Sequence, residues 1–200
     1  DISKTKTFVF SSKYNYGSKK NRNELNFNSD FIDQKLANKN QLLDQKIVLT
    51  NKFKENSVLL FTLRYINEKT PQIYTTNKFI YQDIFNTSGN NIEQTSSNKM
   101  DFIGFETHLI NRNQNENIFE IQIGNQFRKD NLLSIFKIKN DETIVSIPSN
   151  YKNTLNYVSN DLYLKLKYSI KFKKIRLDTE TTFHQYINTL NDTLKQNPFF

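Results

Sequence analysis

Two histidines and one close pair of carboxylates are the residues whose types could support catalysis or metal binding. His108 and His184 each lie on a predicted strand, without a second ligand at the spacing that zinc sites use. Asp178 and Glu180 stand two residues apart, so on a strand they share a face and could present paired carboxylates to a substrate. Such a pair is ordinary in an alternating strand, and we expect Lys167 to neutralise one carboxylate. The pattern therefore predicts polar surface chemistry, with no catalytic residue and no metal site.

The sequence also lacks the motifs of known catalytic centres. The chain has no cysteine, which excludes disulfides, thiol nucleophiles and cysteine-ligated metals. Its four glycines are dispersed, and neither a phosphate-binding loop, a G-x-S-x-G elbow nor an H-E-x-x-H helix occurs. We predict that the protein is not an enzyme and binds no cofactor.

Composition limits the partners. The formal net charge of +8 would suit nucleic acid or an anionic membrane, but the basic residues form no dense tract in the sequence, so we predict no nucleic-acid partner. Hydrophobic residues make up only 36% of the 200 residues, yet 17 are Phe and 10 are Tyr. No apolar run approaches the roughly 18 residues of a membrane helix, whereas alternating strands remain compatible with a membrane.

Alternation with a period of two is the main structural signal and predicts eight strands of about ten residues each, the length of a tilted strand that crosses a bilayer. We expect short turns near residues 17–22, 54–57, 111–117 and 173–174, and long loops near residues 32–45, 66–98 and 128–160. The predicted strands are Thr5–Tyr16, Asn23–Phe31, Lys46–Phe53, Val58–Tyr65, two strands around residues 103–109 and 119–127, and two arms of a final hairpin around residues 162–172 and 175–183.

The final hairpin carries the clearest pattern. Apolar residues occupy even positions before Lys173 and odd positions after Lys174, the parity switch that a two-residue loop produces. That loop pairs Ile170 with Leu177 and Leu164 with Phe183 on one face. It pairs Lys167 with Glu180 on the other face, where opposite charges favour the hairpin.

Alternating short and long connections are typical of an outer-membrane β-barrel, which has tight periplasmic turns, long outer loops, an apolar outer face and a polar lumen. Aromatic residues near strand ends, such as Tyr65 and Phe127, would form its interfacial girdles. The lipid-facing candidates are Leu164, Leu166, Ile170, Leu177 and Phe183. The lumen-facing candidates are Lys165, Lys167, Arg176, Asp178, Glu180 and His184.

The runs KENSVLLFTLRYIN and YLKLKYSIKFKKIRLDTETTFHQYIN resemble the barrel repeats of TonB-dependent receptors of Gram-negative bacteria. The resemblance implies a 22-stranded barrel with a plug in its lumen, located in the outer membrane, that imports a scarce nutrient ligand. It also implies outer-membrane lipid, a TonB system and a surface lipoprotein as partners. Residues 1–200 would then be one barrel segment and an internal fragment of the receptor, because they supply only about eight strands.

Two alternatives remain open from the sequence. The first is a small closed eight-stranded outer-membrane barrel with a structural or adhesive role. The second is a soluble β-sandwich binding module, because a sandwich shows the same alternation.

Overall fold

The computed structural model describes residues 5–27, 30–54, 56–77, 89–113, 115–173 and 175–192. The chain is all-β, and no helix in these ranges is long and apolar enough to cross a membrane. One single-turn 3-10 helix, Ser149–Tyr151, lies between two strands. The eight strands are β1 (Lys6–Phe27), β2 (Asp30–Lys54), β3 (Ser57–Thr76), β4 (Asn91–Arg112), β5 (Ile118–Asn140), β6 (Thr143–Ser146), β7 (Asn153–Phe172) and β8 (Ile175–Asp192).

All strands belong to one antiparallel sheet with the order β1-β2-β3-β4-β5-β7-β8, and the short β6 pairs only with the end of β5. The sheet therefore consists of seven long strands and the short β6. The turns β2–β3, β4–β5 and β7–β8 lie at one end, here named the turn end, and the other connections lie at the loop end. Within the described residues β1 and β8 pair with one neighbour each, so the sheet is open.

The strands are about twice as long as predicted, which corrects several boundaries. The predicted turn at residues 17–22 lies inside β1, and the predicted loop at residues 32–45 lies inside β2. Much of the predicted loops 66–98 and 128–160 also belongs to β3, β4, β5 and β7, while residues 78–88 fall outside the described ranges. Residues 17–22 are polar throughout, and the other stretches contain apolar residues that do not keep a regular period of two, such as Leu132 and Leu133. Their backbone groups still pair in the ladder.

The short turns of the turn end are confirmed. In the β4–β5 turn, Oδ1 of Asn113 accepts hydrogen bonds from the backbone N–H groups of Asn115 and Asn117 at 2.9 and 3.0 Å. The last hairpin has the predicted register, because Ile170 pairs with Leu177 and Lys167 pairs with Glu180. Lys173 takes the positive φ of 48° that a two-residue hairpin loop favours at its first position.

Directly paired residues share a face of a sheet, so the register assigns each side chain to one of two faces. One face carries a continuous apolar band, which we define by alternate residues of each long strand and in which no residue is charged. The band comprises residues 8–16 of β1, 43–49 of β2, 59–65 of β3, 103–109 of β4, 119–127 of β5, 162–172 of β7 and 175–183 of β8.

No second layer covers the apolar band within the described residues. Phe10 is 54% exposed and Phe183 is 60% exposed, although both are large hydrophobic side chains. Ile92 and Ile138, the only buried hydrophobic residues in the described ranges, lie near the loop end and not in the band. The band is therefore a sheet face that no part of the described chain buries.

The apolar band crosses the strands obliquely. Its loop-end limit lies at Tyr16 on β1, at Tyr65 on β3 and at Phe183 on β8. Beyond this limit polar residues predominate on the same face, and the apolar ones there are Phe31, Ala37, Ile73, Leu133, Ile135, Val158 and Ile187. Followed through the paired residues, this limit moves by about eight residues across the seven strands. At about 3.3 Å per residue and about 4.8 Å between strands, a level band requires a strand tilt of roughly 40°.

Candidate functional site

The opposite face, which we call the polar face, carries the predicted lumen-facing residues. Lys165 and Lys167 alternate with the apolar residues of β7, and the paired positions of β8 hold the remaining members, Arg176, Asp178, Glu180 and His184. The five predicted lipid-facing residues, Leu164, Leu166, Ile170, Leu177 and Phe183, all lie on the face of the apolar band. The register separates the two sets, while their contact with lumen or lipid stays a prediction.

Ion pairs on the polar face differ from the predicted partners. Nζ of Lys165 lies 2.7 Å from Oε1 of Glu180, although Lys167 is the residue directly opposite Glu180. Lys167 instead lies 3.6 Å from Oε1 of Glu120 on β5. The predicted neutralisation of a carboxylate by Lys167 on β8 is thus corrected, because Lys167 has a carboxylate on its other neighbouring strand.

Each histidine contacts one carboxylate. Nε2 of His108 lies 3.1 Å from Glu120, and Nδ1 of His184 lies 3.0 Å from Asp161. The His184 ring stacks on Tyr186 with a centroid distance of 5.1 Å. No group of three metal-ligating side chains occurs in the described part of the chain. These contacts orient the rings and give a hydrogen-bonded polar surface.

One row across the polar face joins Glu106 of β4, Gly124 of β5 and Tyr163 of β7, which are consecutive paired positions. The Tyr163 hydroxyl donates a hydrogen bond of 2.5 Å to Oε2 of Glu106, reaching across the intervening strand. A Cβ on Gly124 would lie 2.4 Å from the Tyr163 ring, so the ring rests on the glycine backbone. The glycine therefore makes the contact between β4 and β7 possible.

Beside this row lies a shallow depression of about 230 Å³ on the polar face. Lys46, Arg64 and Glu106 supply its charges, and Gly104 contributes to its floor. Arg64 is held by Asp44 through two hydrogen bonds of 3.0 and 2.8 Å, a bidentate geometry that fixes the guanidinium. The depression offers both donors and acceptors to a polar solute.

The loop end holds a second polar cluster, beyond the apolar band. Glu93 accepts hydrogen bonds from Lys137, at 2.8 Å, and from Lys139. These two lysines hold the pKa of the Glu93 carboxyl below its ordinary value. Glu93 falls within residues 66–98, which the sequence predicted to be a long loop, but it lies in β4.

Sequence reasoning missed several members of the polar face, including Glu106, Glu120, Asp161 and Tyr163. The alternation around Tyr163 was visible, but its partner strand could not be aligned because residues 128–160 were predicted to be a loop. Once β5 and β7 are paired, Gly124 opposite Tyr163 is the signal that identifies the row.

Neither a protein-family model nor a curated protein matches this chain.

Proposed function

We propose that this chain is a segment of an outer-membrane β-barrel of the TonB-dependent receptor type, which takes up a nutrient ligand and carries no catalytic residue. One observation carries this proposal: the uncovered apolar band remains free of charge across all seven long strands and becomes level at a strand tilt of roughly 40°. Transmembrane barrels tilt their strands by about 35–45° and surround themselves with such a band.

The dimensions of the band agree with a bilayer. On β5 it extends from Phe119 to Phe127, which matches the roughly 9–11 residues that a tilted strand needs to cross the hydrocarbon layer. Phe119 lies at the turn-end limit on β5 and contacts Tyr168, with ring centroids 6.4 Å apart, Phe172 lies at the turn-end limit on β7, and Tyr65 and Phe127 lie at the loop-end limit. Aromatic rings at both limits are typical of interfacial girdles.

Two polar side chains inside the band, Asn125 and Thr179, form hydrogen bonds, which lowers their cost on a lipid-facing surface. Asn125 and Asn160 are the clearest case, because Nδ2 of Asn125 donates a hydrogen bond of 2.7 Å to Oδ1 of Asn160 at the edge of the band. In hydrocarbon an amide without a partner would be costly, so mutual pairing permits both residues on this face.

The strand directions favour a large barrel over a small closed one. Seven long antiparallel strands make β1 and β8 run in the same direction, so these two edges cannot close the sheet by antiparallel pairing. Further strands next to β1 and β8 would satisfy the open edges, as closure within lipid requires. A barrel with additional strands has a lumen wide enough for a solute or a plug.

The sandwich alternative finds less support. A sandwich buries the apolar face of one sheet against a second sheet, and in the described residues all long strands belong to a single sheet. The polar face, with its ion pairs and its depression beside Tyr163, fits a water-filled lumen that a nutrient passes. A TonB system and a surface lipoprotein remain proposed partners on the basis of the sequence resemblance alone.

Cysteine labelling tests the proposal, because the chain contains no natural cysteine. Single cysteines replace Leu164, Ile170, Leu177 and Phe183 on the apolar band and Lys167 and Glu180 on the polar face, and intact outer membranes are treated with a water-soluble thiol reagent. We expect labelling at 167 and 180 and protection at the four band positions. Asn156→Cys, on the band face of β7 but beyond the band, is the control and is expected to be labelled.

The cell fraction decides between the hypotheses. Protein in the outer membrane with this labelling pattern supports the barrel. Protein in the soluble fraction with the same pattern would identify the band as a sandwich core, and the transport function would be abandoned.

A further inference from the structure

The shallow depression on the polar face lies between two opposite charges that are close enough to pair but do not. Arg64 on β3 stands directly opposite Gly104 on β4, and Glu106 is the next residue of β4 on the same face. Such diagonal neighbours are about 7–8 Å apart, within the reach of long side chains. No ion pair joins Arg64 to Glu106 in the described part of the chain, so a gap remains between them.

Each of the two charges is held by a strand on the side away from the other. Nε and Nη2 of Arg64 donate to Asp44 on β2, whereas Oε2 of Glu106 accepts from Tyr163 on β7. Nη1 of Arg64 and Oε1 of Glu106 form no hydrogen bond with any residue that the structure describes. Both side chains are therefore fixed, and each keeps one polar atom for a solute in the depression.

Lys46 is the third charged residue that lines the depression. It stands directly opposite Arg64 on β2, its side chain is exposed, and it forms no ion pair within the described ranges. Because Asp44 neutralises Arg64, the free charges of the lining are one cation, Lys46, and one anion, Glu106. A solute that carries one negative and one positive group would form charge-assisted hydrogen bonds with both.

The floor of the depression is open because Gly104 has no side chain between its row neighbours Arg64 and Gln126. A glycine inside a strand is typical of a place where a ligand approaches the backbone closely. The volume of about 230 Å³ is below the roughly 300–1,000 Å³ of pockets for drug-sized ligands. The space therefore suits a small solute.

We propose that this depression binds a small zwitterion whose carboxylate and ammonium groups are close together, of which a free α-amino acid is the simplest. The carboxylate accepts from Nζ of Lys46 and Nη1 of Arg64, and the ammonium group donates to Oε1 of Glu106. The inference rests on the proposed function, because a water-filled lumen brings the solute to the polar face. It assigns a chemical class to the nutrient ligand.

Matched probes separate the zwitterion from its two halves. Binding to the purified protein in detergent is measured by saturation-transfer NMR with L-alanine, with lactate, which lacks the ammonium group, and with L-alaninamide, which lacks the carboxylate. We expect L-alanine to bind roughly tenfold more tightly than either analogue, because each analogue loses one charged contact. Equal binding of lactate would assign the depression to anions, and equal binding of L-alaninamide would assign it to cations; either result, or no binding of L-alanine, overturns the proposal.

Variants that remove one charge locate the binding site. We expect E106Q and K46Q each to weaken L-alanine binding by roughly tenfold. The matched controls are E120Q and K52Q, which remove the same charges from the polar face outside the depression and should bind like the unmodified protein. Equal effects of E106Q and E120Q would overturn the proposal.

A further variant separates a direct contact from a structural effect of Glu106. Y163F removes the hydrogen bond to Glu106 but keeps its charge, so L-alanine binding should persist. Loss of binding in Y163F would show that the row of side chains, and not the carboxylate charge, supports the site, and would reject the direct contact.

The cysteine-labelling pattern in outer membranes is measured independently of binding. An intact pattern without L-alanine binding would reject the zwitterion site and leave the barrel standing. Soluble protein that binds L-alanine would reject the barrel and keep the site.

Discussion

Tyr163 and Glu106 bond directly although a complete strand lies between them. The phenol donates a hydrogen bond of 2.5 Å to the carboxylate, and the ring crosses β5 at Gly124, the position between the two residues in the same row. The bond ties β4 to β7 on the polar face, in addition to the backbone ladders that join each of them to β5. A side chain at position 124 should therefore displace the Tyr163 ring and disturb its hydrogen bond to Glu106.

We expect Gly124→Ala to destabilise the protein by about 1–3 kcal/mol, because the new methyl group would lie 2.4 Å from the Tyr163 ring and force it to move. Urea-induced unfolding in lipid vesicles, followed by circular dichroism, measures the change. Gly17→Ala is the matched control, since its Cβ would have no heavy atom within 4 Å. Tyr163→Phe keeps the ring and removes the bond to Glu106. A Gly124→Ala variant as stable as Gly17→Ala would contradict the packing of Tyr163 on Gly124.

The ion pairs of the last hairpin can be separated by double-mutant cycles. We expect a coupling free energy of about 0.2–1 kcal/mol between Lys165 and Glu180, which lie 2.7 Å apart at a partly exposed site. Lys167 and Glu180 should show almost no coupling, although they pair in the register, because Lys167 is nearer to Glu120. The cycles use Lys→Gln and Glu→Gln changes and unfolding free energies. A larger coupling for Lys167 with Glu180 would contradict this assignment.

Arginine substitutions should report the depth of each position in the membrane. Leu166→Arg, near the middle of the apolar band on β7, should destabilise the folded protein in lipid by about 2–4 kcal/mol. Asn156→Arg, on the same strand and face but beyond the band, should cost only about 0–1 kcal/mol. Folding free energies in lipid vesicles provide the measurement. Similar costs at both positions would show that no hydrocarbon layer covers Leu166.

The cluster around Glu93 should make stability depend on acidic pH. Lys137 and Lys139 lower the pKa of Glu93 in the folded protein relative to its value in the unfolded chain. The stabilisation is therefore complete above the unfolded pKa and is lost as the pH falls through the folded pKa. We expect Glu93→Gln to remove this part of the decline when unfolding is measured from about pH 7 to about pH 3.

The control for this experiment is Glu142→Gln, because Glu142 is exposed and forms no ion pair among the described residues. Its pH profile should follow that of the unmodified protein. If Glu93→Gln and Glu142→Gln gave the same profile, the two lysines would not stabilise the ionised form of Glu93.

Apolar alternation made the membrane-sized part of the sheet predictable. It located the register of the hairpin around Lys173, the turns near residues 54–57 and 111–117, and the division of β7 and β8 into two faces. It failed where the alternation is lost, because residues 17–22 continue β1 with polar side chains only and residues 32–45 continue β2 without a regular apolar period. The total of eight strands agreed only by compensation. The predicted strand Asn23–Phe31 is not a separate strand, because residues 23–27 belong to β1 and residues 30–31 to β2, and the short β6 was not expected.

The sequence by itself determined that the chain forms antiparallel strands with one apolar and one polar face, because a period of two sends alternate side chains to opposite sides. It could not determine which positions of different strands lie side by side, since that depends on backbone pairing between distant segments. Only the tertiary structure placed Tyr163 over Gly124 and next to Glu106. It also brought Lys69 and Lys99, 30 residues apart in the sequence, to directly opposite positions on neighbouring strands. Backbone pairing fixes the register, and the register places residues that are distant in the sequence side by side on one surface.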